Sequence, residues 1–146
     1  MGLDQYLYGT IELDRRSRDE VSDIIIRNYN LNSTTWKIDT ELGYWRKANH
    51  IHQFFVSELE GDVNNCNKHY FDVDVLTRLR ENCEAIMEDK SRAELLLPTQ
   101  DGFFFGSLQY DDYYYETTEY TIELIKQLEE AYDEGKISEF AYEASW

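Results

Sequence analysis

Residues 43–60 have the sequence GYWRKANHIHQFFVSELE, and this stretch decides the fold. Its apolar residues recur at i, i+4, i+7, i+11 and i+15, which places them on one face of an α-helix. These residues are Tyr44, Ala48, Ile51, Phe55 and Leu59. The spacing predicts an amphipathic helix from Gly43 to about Glu60 whose apolar stripe packs on the rest of the domain.

On the N-terminal side of this helix, the pattern predicts a strand, a helix and a second strand. Gln5 to Leu13 is rich in aromatic and β-branched residues with partial alternation, which is typical of a strand. Ser17 and Glu20 match a capping box, so a helix is predicted to about Arg27. Residues 28–33 are turn-like, and residues 35–39 alternate as a short strand does.

On its C-terminal side, two further helices are predicted. Asp72 is placed to cap a helix that runs through about Asp89, with Leu76, Leu79, Cys83 and Ile86 facing inward. A long acidic helix is predicted from about Asp111 or Thr117 to Glu134, where Gly135 ends it. Its apolar stripe is Tyr120, Leu124, Leu128 and Ala131.

Shorter elements fill the remaining sequence. Residues 70–71 and 139–145 are predicted strands, and residues 91–97 are predicted to hold a short turn of helix before Pro98. Residues 102–106, GFFFG, are predicted to form a buried strand or a tight aromatic loop. Together these elements predict one α+β domain over residues 1–146, with three to four helices packed on a small antiparallel or mixed sheet.

The composition is that of a folded protein with a strong acidic bias. Aromatic residues make up 15% of the chain, which is too many for a disordered acidic protein. The sequence shows no apolar run of membrane-spanning length, no basic-then-apolar leader and no cysteine framework. We therefore expect a cytoplasmic protein that does not bind membranes.

The acidic residues are concentrated in the last third of the chain. Residues 1–50 carry 8 Asp and Glu against 7 Lys and Arg, whereas residues 101–146 carry 12 against 2. This last segment contributes −10 of the formal net charge of −16. Such a surface repels nucleic acid and attracts basic proteins, so we expect no direct nucleic-acid binding and a basic protein partner.

The predicted acidic helix supplies the candidate partner-binding surface. Carboxylates along a rigid helix can imitate the charge of a phosphate backbone, and interspersed tyrosines can anchor a partner. The alternative is an ordinary solvated helix face. The candidate residues are Asp111, Asp112, Tyr113, Tyr114, Tyr115, Glu116, Glu119 and Glu123.

A second candidate site is a pocket for a small anionic ligand, such as a nucleotide. On the predicted helix, Trp45, Asn49 and His52 follow one edge of the apolar stripe, while His50 falls on the opposite, solvated face. The pocket requires this edge to meet the loop at Gln100. Its candidate residues are Trp45, Arg46, Lys47, Asn49, His52, Gln100 and Asp101. The same polar residues are also compatible with support of the core, so both interpretations stay open.

Three stretches of the chain form an ordered set of motifs. They are MGLD at residues 1–4, GYWRKANHIH at residues 43–52 and LPTQDGFFFGS at residues 97–107, followed by Tyr110-Asp111 and Tyr113-Tyr114. Together they resemble a family of small, acidic, uncharacterised bacteriophage and prophage proteins. The resemblance implies a phage or mobile-element setting and a host-cell location. It implies no activity and no catalytic residues.

These observations favour a non-enzymatic protein over an enzyme. The sequence has no P-loop, nucleophile elbow, dinucleotide fingerprint or zinc-protease motif, and His50 and His52 are two residues apart and so cannot share a metal on a helix. We expect no catalytic residue, no cofactor and no metal. With the phage setting, the charge suggests a DNA mimic that inhibits a host nucleic-acid-binding defence enzyme, of anti-CRISPR or anti-restriction type.

Overall fold

The computed structural model describes residues 2–13, 36–59 and 63–146 of the chain. The helix and turn predicted within residues 17–33 lie outside the described residues. The described part contains β1 (Asp4–Leu13), β2 (Trp36–Arg46), α1 (Asn49–Glu58), β3 (His69–Phe71), α2 (Val73–Glu88), α3 (Ala93–Leu96), α4 (Asp112–Asp133) and β4 (Glu139–Ser145). The predicted α+β class is confirmed.

The four strands form one antiparallel sheet in the order β2-β1-β4-β3. β1 is a central strand, since it pairs with β2 from Asp4 to Leu13 and with β4 from Asp4 to Thr10. The predicted strands at both ends of the chain are therefore neighbours in the sheet. This pairing places the end of β2 and the end of β4 on either side of the first residues of β1.

The core lies on one face of the sheet, as the alternation along β1 requires. Leu3, Gln5 and Leu7 are fully buried, whereas Tyr6 and Tyr8 between and beyond them are partly exposed. From α1, Phe55 stacks on Tyr142 of β4 with ring centroids 4.0 Å apart. The helices thus cover the face that carries the inward residues of β1 and β4.

The predicted helix over residues 43–60 is wrong in its first third. Residues 36–46 form β2, in which Gly43 pairs with Leu7 and Trp45 pairs with Gln5. The strand ends where Lys47 adopts a left-handed conformation (φ 55°), and α1 begins only at Asn49. The reason is that GYWR also alternates with a period of two, and the free edge of β1 supplies the hydrogen bonds of a strand.

Gly43 also allows α4 to cross β2 closely. A Cβ atom at this position would lie 2.5 Å from Cδ2 of Leu124, so a side chain here would displace that leucine. α4 therefore lies directly over the end of β2, and this places the first turns of α4 beside Trp45 and Arg46.

The two long helices downstream confirm the sequence prediction. α2 begins after Asp72 as predicted, but the Asp72 side chain makes no cap hydrogen bond. The inward residues Leu76, Leu79, Cys83 and Ile86 are all fully buried. α4 begins after Asp111 and ends before Gly135, which has a φ of +74°. The short helical turn before Pro98 is present as α3 with the 3-10 turn Lys90–Arg92 that precedes it.

Two details of the C-terminal half differ from the prediction. Tyr120, placed on the inward stripe of the acidic helix, is 45% exposed, and Thr118 and Thr121 are buried instead. These threonines donate their hydroxyls to the carbonyls of Tyr114 and Thr117, which satisfies them inside the core. Residues 102–106 form a loop in which only Phe105 is buried, since Phe103 is 80% exposed.

No helix in the described ranges is both long and apolar enough to cross a membrane.

Candidate functional site

Six exposed carboxylates form a stripe along α4, here called the acidic ridge. Their spacing of three, four or seven residues keeps them on the side of the helix that faces solvent. Among the described residues, only Glu123 of this set lies within 4 Å of a basic group, 3.7 Å from Nζ of Lys126. The ridge consists of Asp112, Glu116, Glu119, Glu123, Glu130 and Asp133.

A second row of carboxylates on α2 runs beside the ridge. Glu84 and Glu88 of α2 and Glu119 and Glu123 of α4 line one open groove between the two helices. Lys126 also lies in this groove, 3.5 Å from Glu84, and so offsets part of the negative charge. Two helices therefore contribute negative charge to one continuous surface.

A partly buried ion pair fixes the two helices to each other beside the groove. Arg80 donates from Nε to Glu129 at 2.8 Å and from an Nη atom to Glu84 at 2.7 Å. Thr77 donates to the other oxygen of Glu129 at 2.6 Å. Because the guanidinium is shared by two carboxylates, the spacing between the α2 row and the ridge is set by side-chain geometry.

The tyrosines predicted to anchor a partner have three different environments. Tyr113 is 49% exposed, and its hydroxyl donates to the carbonyl of Arg46. Tyr114 is buried and donates to the carbonyl of Leu97 at 2.8 Å, and burial raises the pKa of its hydroxyl. Tyr115 is half-buried beneath Nζ of Lys90, which lies 4.3 Å from the ring centroid. Tyr113 is therefore the member of this trio that is available at the surface.

The two aspartates at the start of α4 also differ. Asp111 is the N-cap residue, and its Oδ1 accepts a hydrogen bond from the backbone N–H of Tyr114 at 3.1 Å. Asp112 is exposed in the first turn and belongs to the ridge. Asp111 consequently has a structural role in addition to any role in binding.

On the opposite side of the start of α4 lies a cleft of about 240 Å³. It is formed where the end of β2, the start of α1, the loop of residues 99–109 and the first turn of α4 meet. The side chains that line it include Arg46, Lys47, His50, Ser107 and Tyr113. Residues 43–52 and 97–107, which are about fifty residues apart in sequence, thus converge on one concave site.

The turn between β2 and α1 is held by the N-terminal segment. The backbone N–H of Lys47 donates to the carbonyl of Leu3 at 2.6 Å, and Leu3 N–H donates to the carbonyl of Phe104 at 3.3 Å. The carboxamide of Gln5 bonds both the N–H and the carbonyl of Ala48, each at 3.0 Å. Leu3 and Gln5 therefore fix the backbone around Lys47 in its left-handed conformation.

Asn49 connects this turn to the loop on the other wall of the cleft. Its Nδ2 donates to the carbonyls of Phe105 and Ser107 at 3.2 and 2.9 Å, and its Oδ1 accepts from the N–H of Gln100 at 3.1 Å. Asn49 is only 2% exposed, and three backbone groups saturate its amide. The side chain thus holds the two walls in place.

His50 is buried against α4, although it was predicted to be solvated. Its ring lies 4.1 Å from that of Tyr114, and Nε2 is 3.4 Å from Oγ1 of Thr118. Thr118 donates its own proton to the carbonyl of Tyr114, so Nε2 of His50 is the donor to Oγ1. Burial lowers the pKa of His50 to about 3, and the ring is therefore neutral.

Trp45 and His52 lie behind the cleft, within the core. Trp45 Nε1 donates to Oγ1 of Thr121 at 2.9 Å. His52 is fully buried, with Nδ1 2.8 Å from the hydroxyl of Tyr142 and Nε2 2.8 Å from Oδ1 of Asn64. Burial lowers the pKa of His52, while its bond to Asn64 acts in the opposite direction.

Of the seven residues predicted for a ligand pocket, the structure thus brings Arg46, Lys47 and Asn49 together at the cleft. Gln100 reaches the site only through its backbone N–H, and its buried Oε1 has no hydrogen-bond partner among the described residues. Asp101 is exposed in the loop.

Sequence reasoning did not identify the roles of Gln5 and His50. Gln5 occupies an inward position of β1 between Leu3 and Leu7, and a polar residue at such a position is a usable signal. His50 gave no such signal, because the elements that bury it come from residues 114–118.

Comparison with protein families finds no family model that matches this chain, and no curated protein or solved structure matches it. Within residues 2–13, 36–59 and 63–146, no group of three or more His, Cys, Asp or Glu side chains is arranged to hold a metal ion.

Proposed function

We propose that the protein binds a basic partner protein through the acidic ridge and acts without catalysis. The observation that supports this proposal is the ridge itself, in which six carboxylates face solvent and nearly all of them lack a basic neighbour among the described residues. The charge of an exposed carboxylate without a basic neighbour is available to attract a partner. The charges of Glu84 and Glu129 are offset by their ion pairs with Arg80.

The length of the ridge suits a nucleic-acid-binding channel. The 22 residues of α4 extend about 33 Å at 1.5 Å per residue, and ridge neighbours are separated by about 4.5 to 10.5 Å along the axis. Duplex DNA carries one charge per ~1.7 Å of axis, so the ridge alone is less dense. On α2, the exposed Glu81 and Glu88 raise the charge density of the combined surface, whereas the charge of Glu84 is offset by Arg80 and Lys126.

The partner class follows from this charge pattern and from the resemblance to phage proteins. Proteins that grip nucleic acid do so with Lys and Arg along a channel, and host nucleases of CRISPR or restriction systems have large channels of this kind. An acidic surface is steered to such a channel at long range. The proposed role is therefore inhibition of a host defence enzyme by occupation of its nucleic-acid channel.

Exposed aromatic side chains beside the ridge add contact area to the electrostatic attraction. Tyr113, Tyr120 and Tyr44 are 49%, 45% and 40% exposed, and with Glu116 they line a shallow groove between α4 and β2. Tyrosine is frequent among the residues that dominate binding energy at interfaces. This groove gives the partner a place for apolar anchoring next to the carboxylates.

The proposal is tested by affinity capture from host-cell extract with two matched double variants. Glu116→Lys/Glu119→Lys reverses charge on the ridge, whereas Glu41→Lys/Glu94→Lys makes the same change in net charge at exposed positions elsewhere. The ridge variant is expected to lose a nucleic-acid-binding partner that the control variant retains. Binding is expected to fall between about 50 and 200 mM salt and to be competed by duplex DNA.

Two results would count against this function. If duplex DNA fails to compete with the captured partner, the ridge is not entering a nucleic-acid channel. If both double variants lose the partner equally, net charge and not the ridge controls the association.

A further inference from the structure

The cleft carries two basic side chains with little local compensation in a chain of net charge −16. Lys47 lies in no ion pair with any described residue, and Arg46 has only Asp4, at 3.9 Å. Both side chains are exposed at the rim. Elsewhere in the described ranges, most basic residues have a carboxylate within 3.5 Å, as Lys37, Lys68, Arg78 and Arg80 do. Arg46 and Lys47 are therefore available to a ligand.

The start of α1 adds backbone donors to the same wall. Ala48 is the N-cap residue and supplies no side-chain cap. The N–H groups of Ile51 and His52 bond the carbonyl of Ala48. Within the described part of the chain, the N–H groups of Asn49 and His50 donate to no backbone carbonyl, although both residues are buried. Free N–H groups at a helix N-terminus favour an anion, because they combine with the positive end of the helix dipole.

His50 provides an independent sign of a ligand. The residue is 97% buried and lines the cleft. Its Nε2 donates to Thr118, which leaves Nδ1 as an acceptor without a hydrogen-bond partner in the described part of the chain. Among the described residues, Oε1 of Gln100 is the one fully buried side-chain atom without a partner, so Nδ1 of His50 is not sealed in the core. It is open to the cleft that His50 lines, and there it can accept a hydrogen bond from a bound molecule.

The geometry points to an unassigned binding site for a small ligand that carries a phosphate or carboxylate group. Arg46, Lys47 and the free N–H groups at the start of α1 hold the anion, and His50 Nδ1 accepts from a hydroxyl or other donor of the ligand. The cleft volume of about 240 Å³ accommodates a small molecule and not a polymer. Tyr113, held by its bond to Arg46, forms the adjacent wall.

The position of the anion within the cleft follows from the remaining charged group. Asp111 also lines the cleft, and its carboxylate accepts a hydrogen bond from the N–H of Tyr114 in the first turn of α4. An anion is therefore expected on the side of Arg46 and Lys47, away from Asp111. A donor group of the ligand can meet Asp111, which would favour ligands that carry hydroxyls over bare ions.

The test is a titration of the full chain, followed by the backbone amide NMR signals, with inorganic phosphate, acetate and AMP as separate probes. At least one probe is expected to saturate and to shift the amides of Lys47, Asn49, His50 and Ser107. Tighter binding of AMP than of inorganic phosphate identifies organic phosphates as the class, and binding of acetate alone identifies carboxylates.

Matched variants separate this site from general attraction to basic side chains. Lys47→Gln and Arg46→Gln are each expected to weaken the bound probe by about tenfold or more, because bonds to charged groups are the strong ones. Lys37→Gln removes the same charge at the far end of β2, about 30 Å away, and is expected to leave affinity unchanged. The amide spectrum of each variant confirms that it is folded.

The proposal is overturned if none of the three probes saturates up to about 20 mM. It is also overturned if the shifted amides lie outside the cleft, or if Lys37→Gln weakens binding as much as Lys47→Gln does.

Discussion

Replacement of Asn49 by alanine is expected to be strongly destabilising. The side chain bonds three backbone groups across the cleft, at 2.9, 3.1 and 3.2 Å, and is only 2% exposed. A hydrogen bond contributes about 0.5–1.5 kcal/mol net, and a buried group left without a partner costs about 1–3 kcal/mol. With some water entering at the exposed Ser107 end, the loss of unfolding free energy should be about 3 kcal/mol.

Asn49→Asp makes a sharper comparison, because it keeps the shape and the bond from Gln100. It places a carboxylate oxygen against the carbonyls of Phe105 and Ser107, where Nδ2 had donated. Two acceptors facing a buried negative charge should destabilise the protein at least as much as the loss of the side chain does. Asn67→Ala, at an exposed position, is the control and should change stability by less than about 0.5 kcal/mol.

The measurement is equilibrium unfolding in urea. With an m-value of about 1.5–2 kcal/mol/M, a loss of 3 kcal/mol lowers the midpoint by about 1.5–2 M. Hydrogen exchange at residues 99–107 should accelerate in the same variant, since this loop loses its attachment to α1. The reasoning is refuted if Asn49→Ala stays within about 1 kcal/mol of the unsubstituted protein, or if Asn49→Asp is more stable than Asn49→Ala.

Three further outcomes are expected. Asp111→Ala should lower stability by about 1 kcal/mol in a urea titration through loss of the cap on Tyr114 N–H, whereas Asp111→Asn should retain most of it. Stability should fall as the pH drops from about 6.5 towards 4.5, by up to about 1.4 kcal/mol per unit for His50. Stability falls on acidification because the pKa of His50 is about 3 in the folded protein and higher in the unfolded chain, so proton binding favours the unfolded state. NMR should show the His50 ring still neutral at pH 5. Trp45→Ala should lower the free energy of unfolding by about 3–5 kcal/mol, measured by thermal or urea unfolding. Trp45→Phe should lower it less, because phenylalanine keeps a ring beside Phe55, although both variants lose the hydrogen bond to Thr121.

The elements that periodicity predicted well are those whose environment is set by their own sequence. α2 has a long apolar stripe, and the ends of α2 and α4 are marked in the sequence by Asp72, Asp111 and Gly135. GYWR at residues 43–46 fits a helix and a strand equally well over so short a length. Pairing with β1 selects the strand conformation, and the residues of β1 lie about forty positions earlier in the chain. Local pattern cannot contain that information.

Part of the candidate site could also be predicted from the sequence. Arg46, Lys47 and Asn49 were singled out by residue type, and they do meet residues from the 99–109 loop. Helical periodicity gives the directions in which His50 and His52 point from α1, but it does not show whether either side chain is buried. Burial on both sides of α1 depends on elements that are distant in sequence. His50 is covered by Tyr114 and Thr118, and His52 is held by Tyr142 and Asn64.

The ridge and the cleft have opposite charge preferences, yet one protein can use both. Both begin at the first turn of α4, where Asp111 lines the cleft and Asp112 starts the ridge. At physiological ionic strength the Debye length is about 8 Å, whereas the ridge extends about 30 Å along α4, so its C-terminal carboxylates are screened from the cleft. Binding in the cleft is then decided by contacts within it, whereas a basic partner responds to the summed charge of the whole helix. A partner that covers the first turn of α4 would also cover Asp111 and Tyr113 at the cleft, so the two proposed binding events are expected to influence each other at this end of the ridge.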